Sequence, residues 1–163
     1  MKRREFIKIA SAGVIAPTTS LLKPSIKPNE NDPIILSTWS FGLEANKAAK
    51  VMLDNGGTAM DAAEEGARIT EADVTNSSVG IGGLPDEDGF VTLDSCVMDH
   101  TGNCGSVAFL QDILHPVSVA RKVMEETKHV MLVGEGARQF AVSQGFEETD
   151  LLTDESRKAW KKW

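Results

Sequence analysis

The chain has 163 residues, 25% charged and 41% hydrophobic, an ordinary composition for one globular domain with a real core. Its formal charge of −7 at pH 7 argues against a nucleic-acid or anionic-membrane partner, because both need a basic surface. Neither an internal repeat nor a low-complexity tract is present.

The charge is unevenly placed. Residues 1–28 hold six of the 17 basic residues and one of the 24 acidic ones, Glu5. A basic leader therefore precedes an acidic domain. Met1-Lys2-Arg3-Arg4-Glu5-Phe6-Ile7-Lys8 and the modest apolar stretch Ile9–Leu22 read as a bacterial twin-arginine-type signal peptide. The stretch is too short and too polar to span a bilayer. The expected organisation is a signal peptide and linker over 1–32 and a folded portion over 33–163. Cleavage is expected in the Leu22–Asn31 region, and the mature product in the periplasm or outside the cell.

Pro33–Thr38 is a compact, partly β-branched apolar run and predicts a short buried strand. Phe41–Asn55 has helical spacing, with Leu43, Ala48, Val51 and Met52 on one side and Gly56-Gly57 as its stop. Thr58 is placed to cap a second helix running to about Glu71, with Asp61 and Glu64 near its positive end. Ser78-Val79-Gly80-Ile81-Gly82-Gly83 is strand-like, and its glycines imply close backbone approach. It is not a phosphate loop, since no Gly-Lys-Ser/Thr follows.

Phe90–Met98 alternates like a half-buried strand, Asp99–Asn103 is a hairpin turn, and Gly105–Leu110 is the return strand. Pro116 opens a helix to about Thr127. Val130–Val133 reads as a buried strand. A helix follows over Gly134–Ser143, stopped by Gly145. Asp154–Trp163 is a polar helical tail with Trp160 and Trp163 on one side. The order predicts a layered α/β domain in which helices coat a sheet.

Chemistry is thin on spacing alone. Asp86, Asp88, Asp94 and Asp99 cluster near the hairpin, where turn carboxylates are common. No Gly-x-Ser-x-Gly elbow exists. Cys96 or Cys104 with His100 or His115 offers a formal Cys/His pair that nothing orients. His100, His115 and His129 are scattered, and no Cys/His cluster has metal spacing, so neither a metal nor a cofactor is expected. Cys96 and Cys104 flank the turn and are either a disulfide or two free thiols, depending on register.

Several runs carry more. Leu36-Ser37-Thr38-Trp39-Ser40-Phe41-Gly42 and Ser78-Val79-Gly80-Ile81-Gly82-Gly83-Leu84-Pro85-Asp86 are two of them. Thr92-Leu93-Asp94, Pro116–Met124 and Thr127–Ala137 follow in the same order. Together they resemble the α subunit of the glycosylasparaginases, which are N-terminal-nucleophile amidohydrolases. The plant-type asparaginases and isoaspartyl peptidases share the fold but match the Thr38-Trp39 start less well.

The resemblance implies an αββα sandwich, of which this chain would be the α-subunit half. It implies a precursor that cleaves itself before a threonine in a His-Asp-Thr-Ile-Gly motif. The freed amino group then acts as base for the threonine hydroxyl. The implied substrate is the amide between asparagine and N-acetylglucosamine in glycoasparagines. No His-Asp-Thr-Ile-Gly occurs in these residues. Asp94-Ser95 is a superficial likeness to such a junction, but it lies mid-strand and the family has alanine at the second position.

No catalytic residue is therefore expected in the chain, which would be inactive without a β subunit carrying the threonine. By the same resemblance, Trp39 packs beside the substrate, Phe41 walls the pocket, and Ser78 orients the nucleophile. The alternative for Trp39 is an ordinary core tryptophan. The rival for the whole chain is a truncated, non-enzymatic product.

Overall fold

The computed structural model describes residues 32–163, so the leader expected over 1–32 lies almost wholly outside the described residues. Ile34–Trp163 forms one compact unit. Its elements are α1 (Gly42–Asp54), α2 (Ala59–Glu71), β1 (Leu93–Met98), β2 (Cys104–Leu110), α3 (Pro116–Glu126), β3 (Leu132–Val133), α4 (Gly134–Ser143) and α5 (Asp154–Trp160). This is the mixed α/β class the order of elements predicts.

The sheet has three strands in the order β1-β2-β3. β1 and β2 form an antiparallel hairpin, and β3 runs parallel to β2 with Val107 opposite Leu132. The hairpin turn sits where the sequence puts it. Asp99 accepts hydrogen bonds from the Thr101 and Asn103 N–H groups at 2.8 and 3.0 Å, which closes the turn locally.

The core lies between α3, α4 and one face of β1–β2. Val119, Ala120 and Val123 of α3 meet Val97, Val107 and Leu110 of the sheet, with Ala137 and Ala141 of α4 beside them. Close approach is possible because β2 has glycine at 105. A Cβ there would overlap the Ala120 carbonyl oxygen and the Met124 backbone. Pro116 occupies the first turn of α3, where its missing N–H costs nothing.

α2 is capped as its sequence announces. The Thr58 hydroxyl accepts from the Asp61 N–H, and the Asp61 carboxylate accepts from the Thr58 N–H at 2.8 Å, a complete capping box. α2 is tied to α3 by charge. Arg121 reaches Asp61 and Glu64, both at 2.7 Å, and Glu64 also accepts from the Ser118 hydroxyl.

Five expectations need correction. Pro33–Thr38 is not a strand: Ile34 is 80% and Leu36 87% exposed, and no neighbouring strand among the described residues pairs with the segment. In α1 the buried residues are Gly42, Ala45 and Ala49, because α1 packs its small face on α2 at Gly66; Leu43 and Val51 face outward. Ser78–Gly83 is a series of turns, with Gly80 and Gly82 at positive φ. The stretch before Leu132 is exposed, and β3 is only two residues long. The polar tail is helical only to Trp160, and Trp163 stands out in solvent.

The register also decides the thiols. Cys96 faces Ser106 and Cys104 faces Met98, so the two cysteines are diagonal on one face and remain free. Diagonal Cβ atoms on adjacent strands are too far apart for a disulfide. That same face carries the exposed Met98, and no helix among the described residues covers it.

Two outcomes follow. Gly105→Ala should lower stability by about 1–3 kcal/mol in chemical denaturation, as overpacking forces α3 off the sheet. Asp61 is held at about 2, below its ordinary 3.8, first by the Thr58 hydroxyl, then by the Thr58 N–H and Arg121. A depressed carboxyl stabilises the fold above its unfolded value and loses that contribution as pH falls. Asp61→Asn should therefore cost about 1 kcal/mol near neutrality, and its melting curve should converge on the parent's between pH 4 and about 2.

Candidate active-site cleft

The segment before α1 is held by its own side chains. The Ser37 hydroxyl bonds to the Asn46 side-chain oxygen at 2.5 Å, and the Gly42 N–H donates to the Trp39 carbonyl at 2.9 Å. A Cβ on Gly42 would collide with Ser37, so glycine lets the segment fold back onto the helix start. This geometry presents Trp39 and Phe41 together. Their rings stack with centroids 6.5 Å apart at 18°. Trp39 is 69% exposed, so within the described residues it is not part of a core. A stacked, exposed aromatic pair is a surface built for contact rather than for the core.

The pair forms the lip of a cleft of about 420 Å³. Ala45 and Asn46 of α1, Gly66, Thr70 and Glu71 of α2, Val79, and Asp94 and Ser95 of β1 are among its other lining residues. Of the three site residues that the sequence picks out, Trp39 and Phe41 line this cleft. Ser78 does not: it is exposed, and its neighbour Val79 reaches the wall instead. The Ser78 N–H donates to the Asn76 side-chain oxygen at 2.9 Å. Asn76 is itself buried, and its Nδ2 has no acceptor among the described residues.

Asp94 is spoken for. Its Oδ1 accepts from the Phe109 N–H at 2.8 Å, across the register irregularity between Leu93 and Ser95. Phe109 holds φ +52 there, a strained angle for a bulky residue. Asp94 thus braces the start of the hairpin. Its carboxylate is not paired with Asp86, Asp88 or Asp99, which belong to separate turns.

Sequence reasoning missed Glu71. It is only 3% exposed and shares the cleft lining with Asp94. Its carboxylate accepts from the Val117 N–H at 3.0 Å and meets His115 Nδ1 at 3.0 Å. One signal was readable: a carboxylate in the last turn of a helix sits against the dipole and needs another partner. That partner lies 46 residues on in sequence, beyond any local pattern.

Among the described residues the lining contains no lysine, arginine or histidine. Among the described residues no hydroxyl in it (Ser37, Thr38, Thr70 or Ser95) is hydrogen-bonded to a carboxylate, a histidine or a lysine. The cleft can therefore wall in an apolar or amide-bearing group. No helix among the described residues is long and apolar enough to cross a membrane.

These features, an α/β unit with a glycine-rich turn and a Trp-lined cleft, agree with the motifs noted in sequence. A family model described as asparaginase matches residues 33–163. The chain belongs to this asparaginase family. It is 55% identical to an N(4)-(β-N-acetylglucosaminyl)-L-asparaginase of Elizabethkingia miricola, over 99% of this chain and 49% of that protein. An enzyme of the same name from Rattus norvegicus is 42% identical, over 86% of this chain and 41% of its own length. A probable isoaspartyl peptidase/L-asparaginase from Arabidopsis thaliana is 40% identical over 80% and 37%. The chain thus spans about half the length of the curated relatives it matches.

Trp39→Ala should leave the denaturation midpoint of the chain almost unchanged, within about 0.5 kcal/mol, because the ring is mostly solvated. A loss of several kcal/mol would return Trp39 to the core.

Proposed function

We propose that this chain is the α portion of an exported amidohydrolase that cleaves the amide between asparagine and N-acetylglucosamine in glycoasparagines. The observation that carries the proposal is the 55% identity to the E. miricola glycosylasparaginase over nearly the whole chain, with Trp39 and Phe41 at the lip of the cleft. An indole wall with one N–H donor suits an amide flanked by a sugar.

The catalytic threonine belongs to residues equivalent to the half of the relatives that this chain does not cover. Its hydroxyl, deprotonated by its own amino group, attacks the amide carbonyl. The glycosylamine leaves with the proton, and water then hydrolyses the ester to release aspartate. The cleft's lack of basic side chains agrees with this division of labour, since the substrate carboxylate then meets its cation on the completing half.

The completed fold is an αββα sandwich. A second sheet would cover the open face of β1–β2, where Met98 is exposed, and would give Ile34 and Leu36 a strand to pair with. The leader directs the product to the periplasm or beyond. Ser78 orients the threonine once the completing half brings that residue beside the turn.

The test is coexpression with the half of the E. miricola relative that this chain leaves unmatched. The two should copurify and release aspartate from a glycoasparagine, and Trp39→Ala should reduce that rate about 100-fold. Copurification without turnover, or no association at all, contradicts the proposal and favours a non-enzymatic product. Turnover of a β-aspartyl dipeptide in preference to the glycoasparagine would assign the chain to the isoaspartyl branch that the Arabidopsis relative's name denotes.

A further inference from the structure

We propose that Glu71 is a positioning residue for the cleft, locking the turn that carries Ser78 and Val79 to the start of α3. The role of Ser78 rests on the amidohydrolase proposal above. The locking itself does not.

Glu71 closes α2, at the end where the helix dipole disfavours a carboxylate. It is also almost fully buried, which is costly for a charge unless every lone pair finds a donor. Both costs are offset by one placement. The carboxylate lies at the N-terminus of α3, where unsatisfied N–H groups and the dipole favour an anion. α3 needs such a partner. Pro116 has no N–H, and the side chain of its flanking residue His115 makes no cap. Val117 donates to Oε1 instead, and His115 Nδ1 meets Oε2. Glu71 is thus an N-terminal cap delivered from another helix.

The same residue grips the glycine turn through its main chain. Its carbonyl accepts from the Ile81 N–H at 2.9 Å. Gly80, at φ +70, lies so close that a Cβ would overlap that carbonyl. α2, α3 and the turn therefore meet at one residue, and Val79 beside it faces the cleft that Glu71 lines. Displacing the turn by an ångström would drag the end of α2 and strip donors from a buried carboxylate. Glu71 therefore holds the height of the wall beside which Ser78 stands.

The test compares Glu71→Ala, Glu71→Gln and His115→Ala with the parent chain. Amide hydrogen exchange on the chain by itself is the first readout. Glu71→Ala should speed exchange over residues 78–83 about ten-fold and leave the β1 and β2 amides unchanged. Glu71→Gln should recover most of the protection, because its amide oxygen still accepts from Val117. His115→Ala should fall between the two, and it keeps the test open should Glu71→Ala not fold. Exchange that rises equally through β1, β2 and the turn, or a turn that does not respond, would overturn the proposal.

The second readout is kinetic, on the complex with the completing half. Glu71→Ala should lower kcat per titrated site about ten-fold with KM little changed, and Glu71→Gln should rescue it. A merely structural residue would lower the number of active sites and not kcat per site. If the turn responds as expected but the parent complex has no turnover, the amidohydrolase proposal fails and the positioning role stands.

Discussion

Everything in this fold depends on α3 lying directly against the β1–β2 hairpin. That seam is apolar: Val119, Ala120 and Val123 are fully buried against Val97, Val107 and Leu110. Burying the valine and leucine side chains supplies on the order of 1.5–3 kcal/mol each, the largest favourable contribution available to a small sheet. It is possible only because Gly105 removes the Cβ that would hold the helix away. Around that seam the rest is hung by specific contacts. α2 is attached to α3 through Arg121 and through Glu71, α4 packs on β2 with Ala137 and Ala141 in the core, and α1 packs on α2.

This hierarchy shapes the cleft. Its walls come from the elements farthest from the seam: α1, the segment before it, and the turn at Val79. Its floor comes from β1 and the end of α2. The rigid parts therefore bear on Glu71 and Asp94, while the aromatic lip stands in solvent. A lip of that kind is ready to be covered by something else. The uncovered sheet face and the unpaired segment at Ile34–Leu36 point the same way. In an isolated chain these surfaces are a hazard for association, and in the sandwich proposed above they would become interior.

The parts of the fold that were legible in sequence are those written in local chemistry. Thr58 with Asp61 announced a cap, Pro116 a helix start, Asp99–Asn103 a turn, and Gly145 at φ +89 a helix stop. What failed depended on absent or distant partners. Pro33–Thr38 has strand composition, yet a strand needs a neighbour to bond. α1 shows an apolar stripe at Leu43 and Val51, yet it buries its alanine face because Gly66 admits a closer approach. Resemblance singled out Trp39, Phe41 and Ser78; the first two line the cleft, and at Ser78 it is the neighbouring Val79 that does so. Glu71 was legible only as a carboxylate in the last turn of a helix, because its partner lies at the N-terminus of a helix that begins after the whole hairpin.

The claim that organises this account is that the cleft behind Trp39 is one wall of a substrate site. Tryptophan emission tests it most directly, in a Trp160→Phe, Trp163→Phe background assembled with the completing half. Adding a glycoasparagine should shift or quench the Trp39 signal saturably, with a midpoint matching KM, and the change should vanish in a Trp39→Phe variant. A signal that stays constant through saturating turnover would contradict the account, since an indole in contact with substrate cannot keep the environment it has in water.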